Sequence, residues 1–163
     1  MEHRKRIAIL DESRDFRLAL ERTLSDKGYL IRISTADADL VLDVIRKKET
    51  DLLITDILLF GTDGTEFVRD AITASDVQRP KILVCSLIKE PTIIEELFGY
   101  GVSDYIHKLS PVSNIVSHVE RLCPLTEEIC RSENSDNLQK LEKTVTSLLL
   151  SLGIPIKLKG FYY

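Results

Sequence analysis

The segment from Asp51 to Gly64 constrains the fold of this chain most, because it joins an apolar run to a carboxylate. The run, Leu52 to Ile54, is typical of a strand that is buried on both faces of a parallel sheet. Asp56 follows it, and then a loop closes on Gly64. Ligands of open α/β sheets bind where strands end and loops begin. The segment therefore places Asp56 in a predicted functional site, where we expect it to accept a phosphoryl group.

Strands and helices alternate through the first 122 residues. Apolar runs predict five strands, and apolar residues at helical spacing predict five helices. The strands are predicted at Ile7–Leu10, Leu30–Ser34, Leu52–Asp56, Lys81–Ser86 and Asp104–Lys108. The helices are marked by Phe16–Leu24, Leu40–Ile45, Thr65–Ile72, Pro91–Phe98 and Ile115–Leu122. Such alternation predicts an α/β fold, a doubly wound five-stranded parallel sheet with helices on both faces and right-handed crossovers.

Glycine, proline and small polar residues predict where several of these helices begin and end. Gly28 ends the first helix, and Pro91 fits the first turn of the fourth. We expect Gly99 and Gly101 to end the fourth helix, whose apolar face includes Phe98. Ser113–Asn114 is a candidate cap for the fifth helix.

Polar side chains follow four of the five predicted strands and should gather at one edge of the sheet. They are Asp11 and Glu12, Asp56, Ser86 and Lys108. Three carboxylates repel one another, so a hard divalent cation such as Mg²⁺ is the expected occupant. Asp56 could then attack a phosphoryl donor, while the metal, Lys108 and Ser86 stabilise the transferred charge.

Composition and missing motifs exclude other classes of protein. No glycine-rich dinucleotide motif follows the first strand, and no phosphate-binding loop motif of nucleotide triphosphatases is present. The net charge of −4 gives no basic surface for nucleic acid. Three cysteines fit a reducing cytosol, and the spacing of His118, Cys123 and Cys130 argues against a zinc site. No segment is long enough for a secretion signal or a membrane span, so we expect a cytoplasmic protein.

The order of these residues resembles the receiver domain of bacterial two-component response regulators. The resemblance covers residues 1–123 and rests on the acidic pair Asp11–Glu12, on Asp56, on Ser86 and on Lys108. It implies a flavodoxin-like sheet with strand order 2-1-3-4-5. It also implies that a histidine kinase or phosphotransfer protein phosphorylates Asp56, with Mg²⁺ held by Asp11, Glu12 and Asp56. Such a domain accepts a phosphoryl group and loses it again, but turns over no external substrate.

Two further roles follow from the resemblance. The backbone carbonyl of Leu58, two residues after the acceptor, is implied as a metal ligand. Tyr105, three residues before Lys108, is implied as a side chain that changes rotamer on activation. Structural alternatives stay open for all these residues: Asp56 as a loop cap, Asp11 and Glu12 as solvated or capping charges, Ser86 as an ordinary hydroxyl, Lys108 as a surface lysine, and Tyr105 as a packing residue.

Three residues depart from the pattern of that family. Phe60 replaces a usual proline, and Glu12 replaces an aspartate. Leu109 replaces a proline after Lys108, so we expect a trans bond there, with the lysine shifted or the turn moved toward Ser110–Pro111. Phe60 and Leu109 motivate an alternative function, a degenerate receiver that acts as a constitutive interaction or dimerisation module. A phosphatase is less favoured, because Leu58 is not a second catalytic carboxylate.

A polar linker, residues 124–136, precedes a different kind of segment at residues 137–163. Leucines at helical spacing predict an amphipathic helix that ends at Gly153 and Pro155. The apolar face of this helix could form a homodimer surface. Residues 141–163 are similar to the start of the DNA-binding domain of the stage-zero sporulation regulator. This implies transcription control in sporulation as the output, with DNA as a partner only if a helix-turn-helix follows in a longer protein.

Overall fold

The computed structural model describes residues 4–74 and 78–125. The chain divides into two compact units, residues 1–125 and 126–163, and all described residues lie in the first. The predictions for Cys130, for the leucine-rich helix and for the sporulation-like tail therefore lie outside the described residues. Within the described part of the chain, no helix is both long enough and apolar enough to span a membrane.

The core of the described unit is a parallel sheet of five strands. The described residues contain seven strands, of which five belong to this sheet. In chain order they are β1 (Arg6–Leu10), β2 (Leu30–Thr35), β3 (Leu52–Thr55), β4 (Leu58–Leu59), β5 (Thr62–Asp63), β6 (Lys81–Ser86) and β7 (Asp104–His107). β4 and β5 form a separate antiparallel hairpin, and the sheet has the order β2-β1-β3-β6-β7. With the hairpin set aside, this is the predicted order 2-1-3-4-5, which confirms the predicted fold class.

Five helices cover both faces of the sheet because the inner strands are apolar on both sides. The helices are α1 (Arg14–Asp26), α2 (Ala38–Arg46), α3 (Gly64–Thr73), α4 (Pro91–Tyr100) and α5 (Val112–Leu122). Alternate residues of β1 point to opposite faces, so Ala8 and Leu10 pack with α2, α3 and α4. Ile7 and Ile9 pack with α1 and α5. This alternation explains the unbroken apolar runs in the sequence.

The predicted ends of α4 and α5 need correction. Gly99 lies inside α4, and the helix ends only at Gly101, whose φ of 111° suits glycine. Phe98 is 46% exposed and does not share the packed face of Leu97, because neighbouring helical residues point about 100° apart. α5 begins at Val112 after Pro111, without a side-chain cap, so Ser113–Asn114 lies within the helix.

The end of α5 is attached to the start of β2 at the amino edge of the sheet. The Tyr29 hydroxyl donates a buried hydrogen bond of 2.9 Å to the Cys123 carbonyl. Lys27 and Glu120 add an exposed ion pair nearby. The chain therefore leaves α5 at the edge opposite to the one where Asp56 follows β3.

A second attachment at the amino edge joins β1 to β3. The Arg6 backbone amide donates to Asp51 Oδ2 at 2.7 Å, and its guanidinium donates to both carboxylate oxygens. Burial would raise the pKa of Asp51, but the hydrogen bonds from Arg6 outweigh it and hold that pKa below its usual value. The pair stabilises the folded state while Asp51 is ionised.

Candidate functional site

The strand ends at the carboxyl edge place an acidic pair beside a lysine. The register that pairs Leu10 with Thr55 makes Asp11 and Asp56 neighbours, one residue after β1 and β3. Asp11 is 1% exposed and Asp56 is 3% exposed. Two carboxylates so deeply buried require a compensating positive charge.

Lys108 supplies that charge directly after β7. Its Nζ donates to Asp11 Oδ1 at 2.8 Å and to Asp56 Oδ2 at 2.7 Å. The ammonium also lies 5.0 Å from the centre of the Phe16 ring, within the range of a cation–π contact. Burial would lower the pKa of Lys108, but the hydrogen bonds to the two carboxylates outweigh it and the pKa is raised. Lys108 is therefore a charged, mostly buried lysine and not a surface residue.

Asp11 retains an acceptor that no hydrogen bond satisfies. Its Oδ1 accepts from the Ser13 amide at 2.7 Å as well as from Lys108. Its buried Oδ2 lies 2.6 Å from Lys108 Nζ but accepts no hydrogen bond, so that contact is electrostatic only. Burial raises the pKa of Asp11, although the hydrogen bonds from Lys108 and Ser13 oppose the shift. An unsatisfied oxygen beside a second carboxylate fits a hard cation such as Mg²⁺, and Asp11 and Asp56 are the side chains placed to hold it.

The backbone after β3 fixes the orientation of Asp56. Asp56 Oδ1 accepts hydrogen bonds from the amides of Ile57 and Leu58, at 2.7 and 3.0 Å. Gly64, the first residue of α3, lies against the Ile57 backbone so closely that an added Cβ would be 2.1 Å from the Ile57 carbonyl oxygen. Glycine is needed there because α3 begins in direct contact with the residue after Asp56.

Glu12 lies apart from the other predicted metal ligands. Its Oε1 accepts a hydrogen bond of 2.7 Å from the backbone amide of Phe60, in the turn between β4 and β5. In residues 4–74 and 78–125, no three Asp, Glu, His or Cys side chains are grouped so as to hold a metal ion. The structure thus joins Asp11, Asp56 and Lys108, while Glu12 is bound to the hairpin.

Ser86 and Tyr105 lie on the neighbouring strands β6 and β7. Ser86 is fully buried, and its Oγ accepts a long contact of 3.5 Å from the Ile88 amide and also interacts with the Tyr105 side chain. The Tyr105 hydroxyl donates to the Ile88 carbonyl at 2.7 Å, and its ring packs against the core. Burial raises the pKa of Tyr105. Both side chains therefore contact the loop that follows β6.

The residue after Lys108 does not displace the lysine. The described residues contain no cis peptide bond, so the bond to Leu109 is trans as expected. Lys108 nevertheless reaches both carboxylates, and a turn follows it in which the Ser110 amide donates to the His107 carbonyl at 2.9 Å. Leu109 itself is 77% exposed beside the site.

Three contributions to the site were missed by reasoning from the sequence. Phe16 was read only as a core residue of α1, but its ring contacts Lys108. Arg17 donates to the backbone carbonyls of Asp11 and Glu12 and so holds the first loop. The Phe60 amide binds Glu12. Helical spacing marked the position of Phe16, but backbone carbonyls and amides leave no signal in a sequence.

Known proteins resemble this chain in sequence. The family model described as "Response regulator receiver domain" matches residues 7–120. Protein CcdB of Bacillus subtilis (strain 168) is 24% identical over 117 residues, which cover 72% of this chain and 96% of CcdB. Response regulator MprA of Mycobacterium avium (strain 104) is 24% identical over 147 residues, 89% of this chain but only 60% of MprA.

Solved structures show the same fold. The chemotaxis protein CheY4 of Vibrio cholerae has a TM-score of 0.66 and 23% identity, covering 73% of this chain and 98% of CheY4. The receiver domain of the response regulator NarL from Mycobacterium tuberculosis has a TM-score of 0.63 and 22% identity, covering 71% and 93%. The family model spans more than half of the chain. The chain therefore belongs to the response regulator receiver domain family of two-component signalling.

Proposed function

We propose that this chain is a phosphorylation-controlled switch in which Asp56 accepts a phosphoryl group from a phosphohistidine. The observation that supports this most is the buried group of Asp56, Asp11 and Lys108, in which one ammonium contacts two carboxylates. A structural salt bridge needs only one carboxylate. A second buried carboxylate, with an unsatisfied oxygen, is suited to a cation and to phosphoryl transfer.

In the proposed reaction, an Asp56 carboxylate oxygen attacks phosphorus in line with the histidine nitrogen. The P–O bond forms, the P–N bond breaks, and the nitrogen leaves with the electron pair. Asp11 and Asp56 would hold Mg²⁺, and the Leu58 carbonyl is proposed as a further ligand. When bound, the metal neutralises charge on the phosphoryl oxygens. Lys108 loses its contact with Asp56 Oδ2 and binds a phosphoryl oxygen.

Ser86 and Tyr105 are proposed to pass the change to the rest of the domain. The Ser86 hydroxyl turns from its long contact with Ile88 to the phosphoryl group, because a charged acceptor forms a stronger hydrogen bond. The loop after β6 then moves, and Tyr105 loses its hydrogen bond to the Ile88 carbonyl. Phosphorylation thus shifts the population between two arrangements of this face.

The test is the intact mass of the full chain after incubation with acetyl phosphate and Mg²⁺. We expect one added phosphoryl group on the wild type and on Asp43→Asn, an exposed carboxylate of α2. We expect none on Asp56→Asn, and none on the wild type without metal. A folded wild type that gains no mass with several small phosphoryl donors would refute the switch. Addition to the Asp56→Asn variant would place the acceptor elsewhere.

The partners and output of the switch are also proposals. A histidine kinase or a phosphotransfer protein is the proposed cytoplasmic donor, and a homodimer is a proposed assembly. The sequence of residues 141–163 supports transcription control in sporulation as the output, with DNA as a partner of a longer protein. Deleting the gene in its host and counting heat-resistant spores would test this output, and unchanged spore numbers would contradict it.

A second candidate function is a receiver that binds its partner without phosphorylation. Three observations favour it: Phe60 is 93% exposed, Leu109 is 77% exposed, and Glu12 is bound to the hairpin. Such a module would self-associate or bind its partner equally well as wild type and as Asp56→Asn. Sedimentation of both proteins, with and without acetyl phosphate, separates the two candidates, because only the switch predicts a difference.

A further inference from the structure

The hydrogen bond from the Phe60 amide to Glu12 Oε1, here called the Glu12–Phe60 bridge, joins the first loop to the β4–β5 hairpin. It spans 48 residues of sequence and measures 2.7 Å. On the first loop, Arg17 holds the Glu12 carbonyl. On the hairpin, the Phe60 ring is 93% exposed, so the amide and not the ring makes the connection.

We propose that the Phe60 amide competes with the divalent cation for the Glu12 carboxylate and so limits the affinity of the site for Mg²⁺. This inference rests on the proposed function. Asp11 and Asp56 face each other through Lys108, and the buried Asp11 Oδ2 contacts that ammonium at 2.6 Å but accepts no hydrogen bond. Glu12 directly follows Asp11, but its carboxylate is held by the amide. Because the bridge fixes Oε1 of Glu12 on the hairpin, we infer that a cation that recruits this carboxylate competes with the Phe60 amide.

The residue type at position 60 controls this competition. Any residue except proline has an N–H group that can hold Glu12, and proline has none. Phe60 and Gly61 form the turn between β4 and β5, and Gly61 has a φ of 72°. A turn with glycine at its second central position favours proline at the first, so Phe60→Pro fits the backbone. Phe60→Ala removes the same ring but keeps the amide, which makes it the matched control.

The experiment titrates MgCl₂ into the ¹⁵N-labelled full chain and follows the amide signals of Ile57 and Leu58, which contact Asp56. Wild type, Phe60→Pro, Phe60→Ala, Glu12→Ala and the double variant Phe60→Pro/Glu12→Ala are compared. We expect Phe60→Pro to bind Mg²⁺ about tenfold more tightly than either wild type or Phe60→Ala. A change of about tenfold is the size expected when one exposed, charge-assisted hydrogen bond no longer competes with the cation. The double variant should lose that gain, which shows coupling between the two residues.

A second readout is hydrogen exchange at the Phe60 amide. In the wild type without metal this amide should be protected, and saturating Mg²⁺ should accelerate its exchange because Glu12 leaves it. Equal Mg²⁺ affinity in Phe60→Pro and Phe60→Ala would overturn the inference, as would a gain that persists without Glu12. Either result leaves phosphorylation of Asp56 intact as a proposal. If no variant binds Mg²⁺, the inference fails together with the metal of the proposed function.

Discussion

Replacing Lys108 by methionine tests the electrostatics of the site most directly. The substitution keeps an apolar stem of similar length but removes the ammonium that contacts Asp11 and Asp56 at 2.6 and 2.7 Å. At an effective dielectric constant of about 20, each contact has a gross attraction of about 6 kcal/mol. Desolvation of the three charges cancels much of this sum. Removing one partner of a buried ion pair typically costs about 3–5 kcal/mol, and we expect a loss in that range at pH 7.5.

The pH dependence gives this prediction a distinctive sign. The pKa of Asp11 is already raised by burial, and loss of Lys108 raises it further. A carboxylate with a raised pKa in the folded state destabilises that state when it ionises. The stability of the variant should therefore increase as the pH falls from neutrality toward the ordinary carboxyl pKa of 3.8, and its deficit relative to wild type should shrink. On the alkaline side, the wild type keeps the contribution of Lys108 up to at least pH 10.5, because the pKa of Lys108 is raised above that value; on the acidic side, the contribution falls as Asp11 is protonated.

Urea unfolding followed by circular dichroism at two pH values measures both effects. Lys27→Met is the matched control, because Lys27 forms only an exposed ion pair with Glu120 and its loss should cost less than about 1 kcal/mol. Adding MgCl₂ should restore part of the stability of Lys108→Met, since the cation replaces the ammonium. A variant no less stable than Lys27→Met would refute the reasoning, and so would a deficit that is unchanged between the two pH values.

Three further predictions concern the frame around the site. Gly64→Ala should destabilise the fold by about 1–3 kcal/mol and slow phosphorylation, because its Cβ would meet the Ile57 backbone. Gly99→Ala, in open space within α4, should stabilise the fold by up to about 1 kcal/mol. Equal unfolding midpoints for the two variants would contradict this prediction. The pKa of Asp51 lies below 3.8, so its pair with Arg6 stabilises the fold above that pH and less below it. The stability difference between wild type and Arg6→Met should therefore narrow on acidification, and a constant difference would count against the pair. Tyr29→Phe leaves a buried carbonyl unpaired and should cost about 1–3 kcal/mol in urea unfolding, while no loss would show that water replaces the hydroxyl.

The main features of the fold were predictable because they depend on residue type and spacing. Apolar runs located all five strands of the sheet, and the order of polar residues at their ends located Asp11, Asp56, Ser86 and Lys108. Asp11, Asp56 and Lys108 meet because parallel strands end at the same edge of the sheet. The contact of Lys108 with both carboxylates was a geometric consequence of that topology.

Other features were not predictable because backbone groups or distant partners determine them. The β4–β5 hairpin has strands of two residues, too short to leave an alternating pattern. Glu12 binds a backbone amide 48 residues away, and every residue type except proline offers that amide. Gly99 suggested the end of α4, but the residue that ends this helix in the left-handed conformation is Gly101. Gly99 lies within the helix, and a Cβ added there would meet open space.

The attachment of Tyr29 to Cys123 has a mechanical consequence for α5. This helix of 11 residues is about 16 Å long and runs from Val112, just after Lys108, to the amino edge of the sheet. Because Cys123 is fastened to Tyr29, the carboxyl end of α5 is held at the amino edge of the sheet, whereas the first turn of the helix has no side-chain cap. A displacement of its first turn would tilt the axis by a few degrees per ångström. The first turn of α5 would then move while Cys123 keeps its place beside Tyr29.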